Sequence, residues 1–240
     1  AFSTDGVTMT NIGTVLGTTR SIANDINNSG QIVGIDFGDG SGSFLYVNGV
    51  VTRLPTLGGP HTWASGINDQ GWIVGVSEDL RQKAQGFIYK NGTMSQLENL
   101  SGRLDATSNA RAINNNGVVV GTSLGTADSV AVKWSSSGAI TPLGTFGGSS
   151  STAEAVNDAG QIVGYADYAN PLMGHGAFVW QNGVMTDLGN LGGTGGAGRA
   201  GVAVVRRWRW RRCGRGSRPI AGVDVRTVRG ERALPRRPGR

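Results

Sequence analysis

The sequence predicts an all-β repeat protein, and three observations lead to this fold class. One sequence pattern recurs four times within residues 1–196, and a second pattern follows each copy of the first. Neither pattern has the 3.6-residue periodicity of an amphipathic helix. A repeated unit made only of short strands is typical of β-propellers and β-solenoids.

The first pattern predicts two strands joined by an Asn-rich turn. Its copies read ANDINNSGQIVG, ASGINDQGWIVG, ARAINNNGVVVG and AEAVNDAGQIVG. Asn and Asp suit such turns because their side chains bond the nearby backbone and because they tolerate left-handed φ. The successive repeats are 41, 46 and 43 residues apart, counted at the aliphatic residue before the turn: Ile26, Ile67, Ile113 and Val156.

The second pattern predicts a β-hairpin. Its copies read FLYVNGVVTRLPTLGG, FIYKNGTMSQLENLSG, VKWSSSGAITPLGTFGG and FVWQNGVMTDLGNLGG. Asn-Gly at 48–49, 91–92 and 182–183, or Ser-Gly at 137–138, separates two β-prone runs, which indicates a two-residue turn. Each repeat of about 43 residues therefore holds four short antiparallel strands, the content of one propeller blade. A β-solenoid is the alternative, although its coils are usually shorter.

The repeats predict a β-propeller-like domain over residues 1–196. Before the first full copy, VTMTNIGTVLG (7–17) resembles the fourth strand of a repeat, so we expect an orphan strand followed by four full repeats. In a closed ring, that strand would complete a blade whose other strands come from the C-terminal end. Residues 197–240 would have to supply them, yet they contain neither pattern and no Asn.

Residues 197–240 differ from the repeats in charge. Residues 1–196 carry 8 Lys and Arg against 14 Asp and Glu, whereas residues 197–240 carry 14 Arg against Asp224 and Glu231. The formal net charge of +6 for the whole chain therefore describes neither part. The abundance of Arg, Gly, Ala and Pro is what a GC-rich coding sequence gives in a wrong frame. We interpret this segment as an aberrant, frameshifted tail.

Two alternatives remain for the tail. It is a disordered basic extension, or its RRWRWRR stretch (206–212) is a functional arm. In such an arm, the Arg side chains would pair with phosphates while the indoles stack on bases or enter a lipid interface. Binding to nucleic acid or to an anionic surface is therefore predicted only through this tail, if the tail is genuine.

Several features favour an extracytoplasmic protein. The chain begins Ala1-Phe2, as expected after removal of a signal peptide. The single cysteine, Cys213, lies in the tail, so the repeats can hold no disulfide. No run of about 18 apolar residues is present, and no membrane span is predicted.

The two patterns in this order, as in INDQGWIVG and AFVWQNGVMTDLGNLGG, resemble the HAF-repeat family of bacterial extracellular proteins. The family is named for a His-Ala-Phe at the third strand, and the nearest match here is HGAF, which starts at His175. The resemblance covers about residues 6–196. It implies a secreted or surface location, a propeller-like fold and no assigned catalytic residues. We therefore expect a non-catalytic binding module whose ligand is a polysaccharide or a protein.

A secreted serine hydrolase of the esterase or lipase type is the alternative function. GTSLG (121–125) matches the G-x-S-x-G nucleophile elbow, and the triad would be Ser123, then Asp128 or Asp167, then His175. The elbow requires a strand, a sharp turn and a helix, but no helix is predicted here. The repeat also accounts for the motif, because its first glycine ends the VVVG run.

Metal and cofactor sites find little support in the sequence. Asp25, Asn27 and Ser29 resemble the start of a calcium loop, but other repeats have Gly or Ala in place of Asp25. A local Asx turn without a metal explains all copies. Only two His residues are present, so a histidine metal cage is not expected, and no cofactor is predicted.

The aromatic residues divide into two groups. Those at equivalent places in the repeats are expected to fill the space between blades, with a ring of sugar-stacking platforms as the alternative: Tyr46, Tyr89, Trp134 and Trp180. Trp63 and Trp72 depart from the repeat pattern. These two are the predicted ligand-binding residues.

Overall fold

The structure of the protein is a computed structural model that describes residues 1–4, 9–38, 42–124 and 128–189. The boundary at 196, the frameshift interpretation and the Arg-Trp arm lie outside the described residues. They stay predictions.

The chain begins with a short hairpin. Strand β1 (Phe2–Thr4) pairs antiparallel with β2 (Met9–Asn11), and a one-turn helix, α1 (Ile12–Leu16), follows. The sequence predicts one strand here, and the structure has two. Residues 12–16, which the sequence places in or directly after that strand, form α1. The Asn11 side chain caps this helix by accepting the Gly13 N–H at 2.9 Å.

Each repeat forms one four-stranded antiparallel sheet with its strands in chain order, which confirms the predicted all-β repeat. We number these sheets blades 1 to 4. Blade 1 contains β3 (Ser21–Ile26), β4 (Ile32–Asp36), β5 (Gly42–Val47) and β6 (Val50–Arg53). Blade 2 contains β7 (Gly58–Ile67), β8 (Ile73–Asp79), β9 (Ala84–Lys90) and β10 (Thr93–Gln96).

The other two blades repeat this arrangement. Blade 3 contains β11 (Ser108–Ile113), β12 (Val119–Leu124), β13 (Ser129–Trp134) and β14 (Ile140–Gly144). Blade 4 contains β15 (Gly147–Val156), β16 (Ile162–Tyr168), β17 (His175–Gln181) and β18 (Val184–Asp187). The first strands of neighbouring blades contact one another, so they lie innermost. Within the described residues the sheets do not close into a ring.

The hydrophobic core lies between successive blades. Val33 of blade 1 is fully buried against Ala64 and Phe87 of blade 2, and similar clusters join blades 2 to 3 and 3 to 4. Full burial of an aliphatic or aromatic side chain stabilises by about 1.5–3 kcal/mol. The four repeated aromatic residues belong to these clusters and to the one beneath blade 1, so they pack as expected: Tyr46, Tyr89, Trp134 and Trp180.

The N-terminal hairpin occupies the place of a half-blade in front of blade 1. Between blades 3 and 4, the Ala131 N–H of a third strand donates to Ser151 Oγ of the next first strand at 2.8 Å. The Ala1 amino group makes the same contact with Ser21 Oγ at 2.9 Å. Strands β1 and β2 therefore stand where the third and fourth strands of a preceding blade would stand.

In blades 1, 2 and 3, one asparagine joins the blade to the next. Asn27 Nδ2 donates to the Asn68 carbonyl oxygen at 3.0 Å, Asn68 Nδ2 to the Asn114 carbonyl at 3.1 Å, and Asn114 Nδ2 to the Asn157 carbonyl at 2.9 Å. The side-chain oxygen of each Asn accepts from its own turn. Asn114 Oδ1, for example, accepts the N–H groups of Asn116 and Val118 at 3.1 and 2.8 Å. We call this chain of residues the asparagine ladder.

A parallel, exposed set of bonds runs beside the ladder. The Asn28 N–H donates to Asp69 Oδ1 at 2.9 Å, the Asp69 N–H to Asn115 Oδ1 at 2.9 Å, and the Asn115 N–H to Asp158 Oδ1 at 2.8 Å. The second position of every turn is therefore Asn or Asp because its side chain bonds to a neighbouring turn.

The ladder predicts that alanine at two equivalent Asn positions lowers the free energy of unfolding by different amounts. Asn114→Ala removes three hydrogen bonds, one of them between blades, and should lower the free energy of unfolding by about 3 kcal/mol at roughly 1 kcal/mol per bond. Asn157 Nδ2 donates to Gln161 within its own turn, so Asn157→Ala should cost less, about 1–2 kcal/mol. Urea denaturation measures both. Equal losses would contradict the ladder's role.

Candidate functional site

The two ends of the blades carry different connections. One end, the turn end, holds the Asn-rich turns and the two-residue hairpin turns. The other end holds the links from second to third strands and from each fourth strand to the next blade. We call it the loop end, and its described residues are 37–38, 54–57, 80–83, 97–107, 128, 145–146 and 169–174.

The turn end is nearly the same in every blade. In each Asn-rich turn the closing Gly N–H donates to the carbonyl of the ladder Asn, at 3.0–3.1 Å. In the hairpin turns Asn48, Asn91 and Asn182 have φ of 48°, 53° and 51°, which confirms the predicted turns. These residues hold the blades together. The loops at the other end differ from blade to blade, and binding residues often lie on loops that a rigid scaffold positions.

The loop end exposes large apolar side chains. One exposed leucine on a protein surface needs no explanation. Here such residues come from four separate loops at the same end, which is typical of a surface that contacts a partner. They are Phe37 (43% exposed), Leu80 (84%), Leu104 (68%), Leu172 (90%) and Met173 (58%).

A cavity of about 600 Å³ opens at the loop end of blade 4. Asp167 and His175 both line it and lie opposite each other on β16 and β17. Asp167 Oδ2 accepts the Ser150 N–H at 3.2 Å, and the His175 ring lies 5.2 Å from the Tyr165 ring. The cavity therefore offers a carboxylate and an imidazole beside a backbone rich in glycine.

Tyr168 forms the apolar wall of this cavity. Its ring stacks on Phe146 at a centroid distance of 5.2 Å, and its hydroxyl donates to Asp187 Oδ2 at 2.8 Å. Burial and then the hydrogen bond and charge of Asp187 raise the pKa of Tyr168 above its ordinary value. The phenol thus stays neutral and is a fixed part of the wall.

The structure separates Ser123 from the other predicted hydrolase residues. Ser123 lies inside β12 of blade 3 and is 1% exposed, whereas Asp167 and His175 line the cavity of blade 4. Asp128 is exposed ahead of β13. The serine that lines the same cavity as His175 is Ser149. No sequence motif marks Ser149, which lies in β15.

Ser123 has a structural partner that the repeat explains. Its Oγ accepts the Leu100 N–H at 2.9 Å, from the segment that enters blade 3. Ser77, the equivalent residue of blade 2, accepts the Leu57 N–H at 3.0 Å. In blades 2 and 3 the hydroxyl thus fastens the entering segment to the second strand of the blade.

This equivalence gives a test of the hydrolase alternative. Ser123→Ala and Ser77→Ala should each lower the free energy of unfolding by about 1–2 kcal/mol, since each leaves a partly buried N–H without its acceptor. A fluorophosphonate probe should label neither the wild type nor these variants. Labelling that disappears only in Ser123→Ala would establish Ser123 as a nucleophile and contradict the structural role.

The two predicted ligand-binding tryptophans have different surroundings. Trp63 is half-buried on the innermost strand β7, with its ring 5.6 Å from that of the exposed His61. Trp72 packs into the cluster between blades 2 and 3, where a Cβ on Gly117 would lie 2.7 Å from its ring. Lys90 Nζ lies 5.1 Å from the centre of the Trp72 ring. Trp72 therefore has a packing role, and ligand binding by either residue stays a prediction.

Every first strand also contains a β-bulge that the sequence does not reveal. At the bulge that all four strands share, the residue skipped by the register is Asn24, Ser65, Arg111 or Glu154. Arg111 Nη1 pairs with Glu154 Oε1 at 3.0 Å across blades 3 and 4, and Asn24 Nδ2 donates to the Ala64 carbonyl at 2.7 Å across blades 1 and 2. These bulges tie inner strands together.

The described residues offer no metal centre. No group of three or more His, Cys, Asp and Glu among them could hold an ion. Asp25 Oδ2 accepts the Ile67 N–H at 2.9 Å, and Asn27 Oδ1 accepts the N–H groups of Ser29 and Gln31 at 3.0 Å. The calcium-like residues therefore form hydrogen bonds to the backbone, as expected for an Asx turn.

Two buried carboxylates hold loops of the loop end in place. Asp36 accepts from the Arg53 guanidinium and from the Gly38 N–H, and Asp79 Oδ1 accepts the N–H groups of Arg81 and Lys83 at 2.8 and 3.0 Å. Burial alone would raise the pKa of each carboxyl. The backbone hydrogen bonds together with the nearby guanidinium groups outweigh it, so both pKa values lie below the ordinary range.

These carboxylates predict a loss of stability in acid. A carboxyl with a lowered folded-state pKa stabilises fully above its unfolded pKa of about 3.9, and the contribution disappears as the pH falls through the folded value. The free energy of unfolding should therefore fall below about pH 4–5, and Asp36→Asn should flatten this fall. Urea titrations from pH 3 to 7 measure it.

Asp105→Asn is the matched control for this experiment, because Asp105 and its partner Arg103 are 61% and 70% exposed. Exposed pairs contribute little, so its pH profile should match that of the wild type. A profile that Asp36→Asn leaves unchanged would contradict the assignment.

Four blades of four antiparallel strands, preceded by a half-blade, define a β-propeller. Among solved structures, the chain is similar to TolB from Acinetobacter baumannii, with a TM-score of 0.52 and 14% sequence identity. The match covers 77% of this chain and 47% of the TolB chain, so this chain spans about half of its length. At this identity the likeness establishes the fold alone.

Neither the family models nor the curated proteins searched contain a match to this chain. Within the described residues, no helix has the length and apolar character needed to cross a bilayer.

Proposed function

We propose that the chain is a secreted or cell-surface, non-catalytic HAF-repeat propeller that binds a partner protein through its loop end. The observation that carries this proposal is the set of exposed apolar side chains that four different loops present at one end. At the turn end, by contrast, the Asn-rich turns bond to one another between blades. The resemblance to HAF-repeat proteins supports the location outside the cytoplasm.

The chemistry of the exposed residues favours a protein over a polysaccharide. Sugars stack on flat aromatic faces, whereas the large apolar residues exposed at the loop end are mostly aliphatic: Leu80, Leu104, Leu172 and Met173, together with Phe37. Aliphatic side chains of this kind fit an apolar patch on another protein. Trp63 and Trp72 are half-buried, and Trp72 is packed between blades.

Photo-crosslinking tests this surface in the host cell. A benzoylphenylalanine at Leu80 or Leu172 should give discrete protein adducts, because both side chains project into solvent at the loop end. The same group at Val50 or Val184 is the matched control, since these residues are 65% and 62% exposed at the turn end. Adducts from both ends alike, or from neither, would overturn the proposal.

A substitution separates a protein ligand from a sugar ligand. Leu80→Asp with Leu172→Asp should reduce the adduct formed from a crosslinker at Leu104 at least tenfold. The fold should remain intact, since exposed substitutions change stability by only about 0.5 kcal/mol. A glycan array probed with the wild-type chain gives the other outcome. Glycan binding that the double variant abolishes would replace the protein partner with a polysaccharide.

A further inference from the structure

The connection between β8 and β9 of blade 2 is a rigid four-residue turn, residues 80–83. The Asp79 N–H donates to the Lys83 carbonyl at 3.0 Å, and the Gln82 N–H donates to the Asp79 carbonyl at 2.8 Å. The buried Asp79 carboxylate accepts the N–H groups of Arg81 and Lys83 at 2.8 and 3.0 Å. Hydrogen bonds to a single residue therefore fix the backbone of the 80–83 turn.

The 80–83 turn contains a strained residue. Gln82 has a φ of 59°, and among the described residues it is the one residue other than Gly and Asn with a positive φ. The left-handed region costs free energy for a residue with a Cβ, whereas Gly adopts it freely. The corresponding connection of blade 4 has Gly174 at a φ of 66°. An exposed glutamine thus stands where glycine would be more stable, which is typical of a functional position.

The same turn holds an exposed leucine in place. Leu80 is 84% exposed. Its side chain lies over the start of β7, where a Cβ on Gly58 would be 2.8 Å from Leu80 Cγ and Cδ2. The absence of a Cβ at Gly58 leaves room for this arrangement. An apolar side chain on a rigid backbone loses little conformational freedom when a partner covers it, so the turn is preorganised for binding.

A second exposed leucine lies on a neighbouring loop that is also well fixed. Leu104 is 68% exposed and stands between Arg103 and Asp105, whose side chains form two hydrogen bonds of 2.9 Å. Gln85, which is buried at the start of β9, donates from Nε2 to the Ala106 carbonyl at 3.0 Å. This bond joins the loop that carries Leu104 to blade 2 directly after the turn.

Exposed cations flank the two leucines. Arg81 and Lys83 are exposed, and within the described residues neither forms a salt bridge. The hydrogen bond and charge of Arg103, together with the charge of Lys83, hold the pKa of Asp105 below its usual range, which places Lys83 near the Leu104 loop. Asp79 lies beneath the turn and is 8% exposed. The outward surface is therefore apolar with a positive rim.

We propose that the 80–83 turn and Leu104 select the partner protein, and that this partner presents an apolar pocket rimmed with carboxylates. Leu80 and Leu104 enter the pocket, while Arg81 and Lys83 pair with the carboxylates. Complementary charges of this kind mainly set specificity and the rate of association. This inference rests on the proposed binding through the loop end and adds the chemistry of the partner.

Charge reversal tests this chemistry in the host cell. A benzoylphenylalanine at Leu172 reports binding from blade 4 and leaves the turn unchanged. Arg81→Glu with Lys83→Glu should reduce its protein adduct at least tenfold, because like charges across an interface repel. The matched control, Arg81→Lys with Lys83→Arg, keeps both charges and should keep the adduct. Both variants retain the N–H groups that Asp79 binds, and thermal melts verify that their folds are intact.

Gln82→Gly separates binding from stability. Removal of the left-handed strain should raise the melting temperature by about 2–4 °C. Loss of the side chain and of the turn's rigidity should at the same time reduce the Leu172 adduct about threefold. A residue with only a structural role would not weaken binding when its replacement stabilises the fold. An adduct that Gln82→Gly leaves unchanged would overturn the role given to Gln82.

The outcomes also separate this inference from the proposed function. If charge reversal leaves the Leu172 adduct unchanged, the loop end still binds a protein, but the inferred chemistry of the partner is wrong. If the wild type gives no adduct, the proposed function and this inference fail together. Loss of the adduct after nuclease treatment would identify phosphates as the partner's anions and would overturn the assignment of carboxylates.

Discussion

Each junction between neighbouring blades of this propeller relies on the amide side chain of a single asparagine. A buried amide is costly unless its donor and its acceptor are both satisfied. In Asn27, Asn68 and Asn114 the side-chain oxygen accepts from the residue's own turn, and the side-chain nitrogen donates to the next blade. Turn geometry and blade packing are therefore fixed together. The apolar clusters between blades add most of the stabilising area, but the asparagine sets the register in which they meet.

Much of the fold could be predicted from the sequence because all four repeats carry the same turn and strand signals. The Asn-Gly dipeptides predict the hairpins, and the spacing predicts one blade per repeat. The N-terminal hairpin escaped prediction because Phe2–Thr4 is too short to show alternation and because a single cap at Asn11 made the next residues helical. The asparagine ladder was not predicted either, because the sequence of one repeat does not show that the amide nitrogen of its Asn bonds to the next blade.

The candidate site was harder to predict because it depends on contacts between repeats. GTSLG matches a catalytic motif in one dimension, but the fold buries Ser123 as the counterpart of Ser77. Trp72 departs from the repeat and nevertheless packs between blades. Leu80 and Leu172 carry no motif, and only the three-dimensional arrangement places them at one end. A residue that departs from the repeat pattern is therefore not necessarily a binding residue. Its surroundings in the structure show whether it packs between blades, as Trp72 does, or is exposed, as Leu80 and Leu172 are.

The asparagine ladder also has a direction, since the amides of Asn27, Asn68 and Asn114 all donate toward the C-terminal neighbour. Because each junction is made by the same pair of groups, a whole repeat could be inserted or removed and the two newly adjacent blades would still bond correctly. A gene encoding such a protein can therefore lengthen or shorten by multiples of one repeat without harm to the remaining junctions. A change that is not a whole repeat has to be taken up by a loop between strands, as in the 46-residue step from Asn68 to Asn114, where the junction is still made.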